Sequence, residues 1–218
     1  MASTELSLQE KALKIVELLE EAYPDAVCSL DHNQEKPYEL LMSTRLSAQC
    51  TDARVNIVTK ELFARFQSID DFADGDLVEI ERIVRPCGFY KMKARDLKNM
   101  AVMLRDVYHY QLPDTIEELT KLPGVGRKTA NLIVGDVFGK PSVVCDTHCI
   151  RITNLLGLST GKDPLKVEMQ LRKILPLDRS GAFCHRLVMH GRAVCIANRP
   201  RCEECVLNVW CDHYAAGR

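Results

Sequence analysis

In Pro123-Gly124-Val125-Gly126-Arg127-Lys128, two closely spaced glycines allow a turn that side chains would forbid. Upstream, Asp114 to Leu122 is predicted as a short helix, with Asp114 as its N-cap and Glu117 at the capping-box position. Downstream, Lys128 to Phe138 has the apolar spacing of a second helix. The segment therefore predicts two helices joined by a tight hairpin.

The hairpin allows two interpretations of Lys128. Backbone N–H groups at the start of the second helix point outward, which suits a phosphate group, and Lys128 would be one more phosphate contact. Alternatively, the positive helix end, neighbouring Arg127 and burial disfavour the protonated amine and leave it free to act as a nucleophile. The segment alone supports both interpretations equally.

The composition sets the size and class of the protein. With 218 residues, of which 46% are hydrophobic and 27% charged, the chain can form one large domain or two small ones with real cores. No window is long and apolar enough to span a bilayer, and Met1 to Ser7 lack the apolar stretch of a signal peptide. We therefore expect a cytoplasmic protein, nucleoid-associated if prokaryotic, with no membrane partner.

The net charge of −1 argues weakly against a nucleic-acid partner, since such domains are usually basic. Basic residues nevertheless cluster in three segments, and each cluster alone is typical of a solvated face. We favour that interpretation for the first cluster, whereas the other two flank the hairpin and lie near the C-terminus. The clusters are Lys91, Lys93, Arg95 and Lys98; then Lys121, Arg127 and Lys128; then Arg192, Arg199 and Arg201.

Ten cysteines form two groups. Six are scattered in apolar surroundings and are interpreted as small buried hydrophobes; they are Cys28, Cys50, Cys87, Cys145, Cys149 and Cys184. The other four crowd the C-terminus as Cys195-x6-Cys202-x2-Cys205-x5-Cys211. Four thiols so close together point to a shared ligand or to disulfides.

The C-terminal cysteines allow three interpretations. Disulfides are disfavoured in a reducing compartment. Structural zinc is possible, but only Cys202 and Cys205 form the short pair that zinc modules usually repeat. A cubane iron–sulfur cluster also takes four thiolates, and the spacing favours it over zinc. Either metal would hold together a segment too short for its own core.

The remaining pattern is helical almost throughout, without runs of strict alternation, so we predict an all-α fold. Ser7 and Glu10 form a capping box ahead of the first helix. Pro141 to Asp146 is predicted to be extended. The further predicted helices are Leu8 to Ala22, Tyr38 to Ala48, Asp52 to Phe66, Leu77 to Val84, Lys93 to Tyr108, Thr147 to Leu156, Leu165 to Leu175 and Phe183 to Val194.

Asp146 follows an apolar run and precedes a helix. As a pattern, an ordinary N-cap aspartate is the commoner case. The functional interpretation is a carboxylate placed opposite Lys128. Periodicity does not decide between the two.

Taken together, these motifs resemble the endonuclease III family of base-excision DNA glycosylases over nearly the whole chain. Four stretches carry the resemblance, and the cysteine spacing of six, two and five matches the iron–sulfur loop of that family. A lysine at position 128 is typical of the bifunctional branch. The stretches are Leu46-Ser47-Ala48-Gln49, Leu122 to Asn131, Val144 to His148 and the four-cysteine set.

The resemblance implies two α-helical lobes flanking a DNA-binding cleft. One lobe, residues 31–140, would be a six-helix barrel with the helix-hairpin-helix. The other, residues 1–30 and 141–218, would carry a [4Fe-4S] cluster on Cys195, Cys202, Cys205 and Cys211. Lys128 and Asp146 would face each other across the cleft, and the protein would act as a monomer on damaged double-stranded DNA.

The resemblance also implies a mechanism. The damaged nucleotide must flip out of the duplex before it can be reached. Lys128 would attack the sugar, release an oxidised pyrimidine and form an imine, and β-elimination would then cut the strand 3′ to the abasic sugar. Asp146 would stabilise the positive charge on the sugar and assist proton transfers.

The same resemblance assigns DNA contacts. Gln49 would fill the hole left by the flipped nucleotide, and Phe89 would wedge into the opposite strand. The family more often has an aliphatic residue at the position of Phe89, so we expect the lesion or opposite-base preference to differ. The remaining contacts are the hairpin residues Gly124, Val125, Gly126, Arg127 and Thr129, which would grip a phosphate, and His148, Arg199 and Arg201.

Two rival functions fit parts of the sequence. A non-catalytic DNA-binding module would use the hairpin as a clamp and the cysteines for structural zinc. A monofunctional glycosylase would release bases with activated water and form no covalent adduct, which leaves Lys128 without a role.

Overall fold

The computed structural model describes residues 7–217. The polar segment for which we predict no signal peptide lies, except for Ser7, outside the described residues. Within residues 7–217 the regular elements are helices, with no strand, so the all-α prediction is confirmed. The α-helices are α1 (Leu8–Ala22), α2 (Pro37–Ser47), α3 (Asp52–Arg65), α4 (Ile69–Asp74), α5 (Leu77–Val84), α6 (Tyr90–Asp106), α7 (Ile116–Leu119), α8 (Arg127–Asp136), α9 (Thr147–Leu155), α10 (Pro164–Leu171), α11 (Ser180–Ala193) and α12 (Asp212–Ala215).

The described chain divides into two compact units. One is the continuous segment Cys28–Phe138, which contains α2 to α8. The other is discontinuous and joins the described residues up to Val27 to those from Gly139 onward. The division into a barrel lobe, residues 31–140, and a cluster lobe, residues 1–30 and 141–218, stays a prediction.

Most predicted helices are found, with ends that shift by a few residues. Helices α1 and α5 have the predicted bounds, and the Ser7/Glu10 capping box is present. The helix α7 is shorter than predicted, and its N-cap is Thr115 rather than Asp114, because the Thr115 hydroxyl accepts from the Glu118 N–H. The sequence analysis also missed α4, which is only six residues long.

The continuous unit has an aromatic and aliphatic core. Phe66 and Phe72 stack at 5.1 Å between ring centroids. Helix α6 packs against α4 and α5 and buries one face at helical spacing. The residues buried on that face are Lys93, Ala94, Leu97, Met100, Ala101 and Leu104. This core holds the ends of α2 and α6 and the hairpin before α8.

The discontinuous unit is built around α11, which packs against α1 and α9. Ile15 and Leu19 of α1 and Phe183 and Leu187 of α11 are completely buried. Burying four such side chains contributes about 1.5–3 kcal/mol each, so this contact dominates the attachment of α1.

Four of the six cysteines predicted to be buried are buried: Cys87, Cys145, Cys149 and Cys184. Cys28 and Cys50 are only half-buried, so the prediction is wrong for these two. Both lie in the connections between helices, Cys28 between α1 and α2 and Cys50 between α2 and α3. Among the described helices, none combines the length and apolarity that crossing a membrane requires.

A charged clamp reinforces the contact between α1 and α11. Glu20 accepts hydrogen bonds from the guanidiniums of Arg179 and Arg186. The Arg179 hydrogen bond, together with the charges of both arginines, holds the pKa of Glu20 below its usual range. A carboxylate with a lowered folded-state pKa stabilises the fold above its ordinary pKa, and this stabilisation is lost as the pH falls.

We expect Glu20→Gln to lower the melting temperature at pH 7 by about 2–4 °C, the shift typical of about 1 kcal/mol in a chain of this size. The difference from the wild type should shrink as the pH falls below the ordinary carboxylate pKa, because the wild-type clamp is then lost too. Thermal melts between pH 7 and pH 3.5 measure this. Glu21→Gln is the control, since Glu21 is exposed on the same helix. A pH-independent difference would contradict the clamp.

Candidate functional site

The hairpin rests on a partly buried ion pair. Gly124 has a positive φ of 72°, and a Cβ at this position would overlap the Arg45 side chain and the Asp96 carboxylate. Arg45 and Asp96 are joined at 2.7 Å and are mostly shielded from solvent. Gly124 is therefore required both by its backbone conformation and by this close approach. The ion pair connects α2, α6 and the hairpin, and no local pattern in the sequence predicts it.

Lys128 is the second residue of α8 and its side chain is exposed. The helix begins after Gly126, which offers no side-chain cap, so the N–H groups of the first turn lack intrahelical acceptors. Space beside the Gly126 Cα is open for at least 4 Å. We predicted that burial helps to activate Lys128. This prediction is wrong, because the first turn of α8 lies at the surface of the continuous unit.

Asp146 is the N-cap of α9. Its Oδ1 accepts a hydrogen bond of 2.7 Å from the Cys149 N–H, and its side chain is half-buried. Buried Val144 and Cys145 precede it and fix its position. The N-cap interpretation is thus correct, and the same carboxylate keeps a second oxygen that a ligand can use. This hydrogen bond therefore holds the Asp146 carboxylate in a fixed position.

His148 lies in the first turn of α9. Its Nδ1 is 3.5 Å from Nη2 of Arg151, and the backbone of Gly191 approaches its ring so closely that a Cβ there would overlap it. The ring is half-buried. Its position is compatible with a DNA contact, and that role stays a prediction.

Gln49 and Phe89 share an unusual backbone conformation. Both are exposed, and both have positive φ angles, 56° for Gln49 and 47° for Phe89. This left-handed conformation costs about 1–2 kcal/mol for a residue with a side chain. Phe89 also leaves 62% of its surface open to solvent. His109, Tyr110 and Asn198 also have positive φ angles, so the conformation identifies the Gln49 and Phe89 turns as constrained without assigning them a function.

Lys93 corrects the interpretation of the first basic cluster as a solvated face. Lys91 and Arg95 are exposed, but Lys93 is only 1% exposed and donates three hydrogen bonds inside the unit. Burial lowers the pKa of its ammonium. The burial of Lys93 could have been predicted from its spacing, since Lys93, Leu97 and Met100 lie on one apolar helix face.

The four C-terminal cysteines line one pocket, together with residues of α9 and α11. Cys195 Sγ accepts from Arg151 at 3.4 Å, and Cys205 Sγ accepts from the Leu207 N–H at 3.4 Å. Burial raises the pKa of the Cys195 and Cys205 thiols. Four thiols that converge on one cavity form a donor set for a soft metal group.

The spacing between these donors matters for the kind of metal. Among residues 7–217, no three His, Cys, Asp or Glu side chains are arranged to hold a metal ion. A single zinc ion would draw its sulfurs within about 2.3 Å of one point, whereas a four-iron cluster takes one thiolate at each iron. Since all four cysteines line the same pocket, they can together serve a group that takes four thiolates, either a zinc ion or an iron–sulfur cluster.

The loop before Cys202 carries two arginines. Arg199 and Arg201 are exposed on either side of Pro200. Arg201 Nη1 lies 3.8 Å from Glu204, a long contact on the surface that leaves the guanidinium available to other partners. Both arginines can therefore reach a phosphate without loss of buried contacts.

Comparison with known proteins gives concordant matches. Residues 42–177 match the family described as HhH-GPD superfamily base excision DNA repair protein. The chain is 40% identical over 206 residues to endonuclease III of Synechocystis sp., with 94% of this chain and 93% of the relative covered. It belongs to the endonuclease III family. Endonuclease III of Bacillus subtilis is also 40% identical, with 87% of this chain and 86% of the relative covered.

The endonuclease III family is also matched at the level of structure. A solved trapped endonuclease III–DNA covalent intermediate, in an estranged-adenine complex, superposes with a TM-score of 0.89 at 39% identity. The match covers 97% of this chain and 99% of that chain. The resemblance drawn from the motifs is confirmed: the chain is a base-excision repair DNA glycosylase, and DNA is its partner. The interpretation as a non-catalytic module is set aside.

The predicted site residues of this endonuclease III family member fall into two groups. Gln49, Phe89, Lys128 and the hairpin residues lie in the continuous unit. The second group lies in the discontinuous unit and comprises Asp146, His148, Arg199, Arg201, Cys195, Cys202, Cys205 and Cys211. The expectation that Lys128 and Asp146 face each other stays a prediction.

Proposed function

We propose that this chain is a bifunctional DNA glycosylase and AP lyase that excises oxidised pyrimidines from duplex DNA, with Lys128 as nucleophile. The observation that carries the proposal is an exposed lysine in the first turn of α8, directly after the glycine hairpin. An amine at a helix N-terminus lies next to N–H groups that can hold a phosphate, so substrate and nucleophile are brought together.

The proposed reaction has two stages. In the first, the neutral Lys128 amine attacks the sugar C1′, the glycosidic C–N bond breaks, and the damaged base leaves with the bonding electrons. Loss of a proton from nitrogen and opening of the sugar ring give an imine between Lys128 and C1′. In the second, the imine acidifies C2′, a base removes that proton, and the C3′–O bond breaks. The strand is then cut 3′ to the sugar.

Asp146 acts in the first stage. Its carboxylate stabilises the positive charge that develops on the sugar as the base leaves, and it assists the proton transfers around Lys128. The hydrogen bond from the Cys149 N–H keeps the side chain from rotating away. A charge held in advance costs no reorganisation when the transition state forms.

The four cysteines hold a [4Fe-4S] cluster in this proposal. Support comes from their spacing, from the single cavity that they line and from the family assignment. When bound, the cluster supplies a covalent tie for the C-terminal segment rather than reaction chemistry. The tie holds the loop with Arg199 and Arg201, which contact the DNA backbone. We also propose that the protein is a monomer in the cytoplasm, associated with the nucleoid if prokaryotic.

The hairpin binds the phosphate beside the lesion through the first-turn N–H groups of α8, with Arg127 and Thr129. We expect Gly126→Ala to weaken binding to abasic duplex about tenfold, because a methyl group would stand where the phosphate approaches. The same change meets open space in the free protein and an ordinary φ of −93°, so stability should barely change. Fluorescence anisotropy and thermal melts measure the two effects.

The control is Gly124→Ala, which should lower the melting temperature strongly because of its positive φ and the Arg45 contact. If Gly126→Ala binds DNA as tightly as the wild type, the phosphate does not approach this glycine.

Borohydride trapping tests the proposed function directly. The purified protein is mixed with duplex DNA that contains one abasic site, reduced, and run on a denaturing gel. We expect a covalent protein–DNA adduct, also with a thymine glycol duplex, because reduction fixes the imine. Binding without any adduct would instead indicate a glycosylase that uses water.

A further inference from the structure

Lys93 is a buried cation in an energetically unfavourable position. It is the fourth residue of α6, lies 1% exposed in the core of the continuous unit, and shares its face with Leu97 and Met100. An ammonium there loses its hydration and also meets the positive end of the helix dipole. The same loss of hydration lowers the pKa of the Lys93 ammonium. The contacts of the Lys93 ammonium must therefore offset both of these costs.

The three N–H groups of the Lys93 ammonium are all used. They donate to the carbonyl oxygens of Leu46, Ala48 and Cys87, each at 2.8 Å. An ammonium has three donors and no acceptor, so this set is complete. Leu46 and Ala48 are at the end of α2, and Cys87 ends the 3₁₀ segment Arg85–Cys87. Helix ends leave such carbonyls unpaired at the negative end of their dipoles.

These anchored carbonyls lie one to three residues before the two strained residues. Gln49 follows Ala48, and Phe89 comes two residues after Cys87. Left-handed conformations of residues with side chains persist only where the surroundings over-determine the backbone. Lys93 supplies such a constraint to both turns at once, since one nitrogen atom binds the chain just before each of them. The separation between the two turns is thereby set by a single ammonium group.

We propose that Lys93 is a positioning residue that joins the Gln49 turn and the Phe89 turn into one rigid wedge. The inference rests on the proposed function and on the roles that the family resemblance assigns to Gln49 and Phe89, which enter the duplex as the damaged nucleotide leaves it. In these roles both side chains act on the same base pair, whose unstacking and unpairing cost a few kcal/mol. Turns that moved independently would have to be ordered at that moment, and the rate would fall accordingly.

A wedge is needed only where there is a stack to open. Single-stranded DNA with an abasic site has no opposite base and no hole to fill, so its cleavage by Lys128 does not depend on the wedge. Loss of a positioning residue should therefore separate the two substrates. A general loss of folding would instead lower both rates together.

Lys93→Met keeps the length and removes the three donors. We expect single-turnover base release from a thymine glycol duplex to fall about 10–100-fold, the effect of misplacing a group by about 1 Å. Cleavage of a single-stranded abasic site should stay within about twofold of wild type in the same conditions. Both assays are run well below the melting temperature of each variant. Lys91→Met is the matched control, because Lys91 is exposed on the same helix and should leave the duplex rate unchanged.

Lys93→Gln keeps the inference testable if the methionine variant does not fold. Its shorter amide can still donate, so the duplex rate should lie between those of Lys93→Met and wild type, with the single-strand rate unchanged. Adding Lys93→Met to the double variant Gln49→Ala/Phe89→Ala should cause no further loss, since the wedge is already absent. Equal losses on duplex and single strand, or a full additional loss in the triple variant, would overturn the inference.

The same set of variants separates this inference from the proposed function. If Gln49→Ala/Phe89→Ala retains the full duplex rate, the proposed roles of those two residues fail. If that double variant is slow but both Lys93 variants match wild type on the duplex, only the inference about Lys93 fails.

Discussion

Replacing Lys128 with glutamine is expected to abolish base release and strand cleavage together, each by on the order of 10⁴-fold or more. Both proposed stages pass through one amine, and an amide nitrogen neither attacks the sugar nor forms an imine. Because Lys128 is exposed on the first turn of α8, the variant should fold normally and still bind DNA. Single-turnover assays on thymine glycol and abasic duplexes, with anisotropy for binding, measure these three quantities.

The matched control for this variant is Lys121→Gln. Lys121 lies on the other side of the hairpin, is exposed, and pairs with Glu118 at 2.5 Å, so its loss removes the same charge without removing the nucleophile. Its rates should be close to those of wild type. An active Lys128→Gln protein would remove the assignment of the nucleophile. Base release without any trapped adduct would point to activated water, with Lys128 as a phosphate contact.

Replacing Asp146 with asparagine is expected to slow base release about 10²–10³-fold, the usual effect of removing one electrostatic or acid–base group. Asparagine is as good an N-cap as aspartate, so the hydrogen bond from Cys149 can remain while the negative charge is lost. Cleavage of a preformed abasic site should slow less, because that substrate has already lost its base. Comparing the two single-turnover rates measures the difference.

A second capping aspartate provides the control for Asp146. Asp163 is the N-cap of α10, and its Oδ1 accepts from the Lys166 N–H at 3.0 Å. Asp163→Asn repeats the same chemical change at the same kind of cap, and both rates should remain near wild type. Equal slowing of both reactions by Asp146→Asn would argue against a separate role in base release.

Local signals in the sequence predict much of the fold. The Ser7/Glu10 capping box marks the start of α1 correctly, because both partners lie within one turn. Asp114 is wrong as an N-cap because Thr115 offers a similar acceptor one residue later. Helix α4 was missed because six residues are too few to show an apolar period, although Ser68 and Asp71 form a capping box there.

In the candidate site, some features could be predicted from neighbouring residues and others could not. Lys128 and Asp146 could be placed at helix starts from neighbouring residues alone. The left-handed conformations of Gln49 and Phe89 could not, because Lys93 binds carbonyls up to 47 residues away in the sequence. A charged residue on an apolar helix face was the only trace of that contact. Long-range hydrogen bonds leave no periodic pattern in the sequence, so residue spacing does not predict them.

The discontinuous unit has a consequence for synthesis of the chain. Helix α1 is synthesised long before α11, since Glu20 is 159 residues from Arg179 and 166 from Arg186. At about 5–20 residues per second, α1 waits roughly 10–30 s on the ribosome with Ile15 and Leu19 uncovered. The segment Cys28–Phe138 is complete well before then and can fold from contiguous chain. We therefore expect nascent-chain chaperones to engage the first helix, and aggregation during overproduction to begin there.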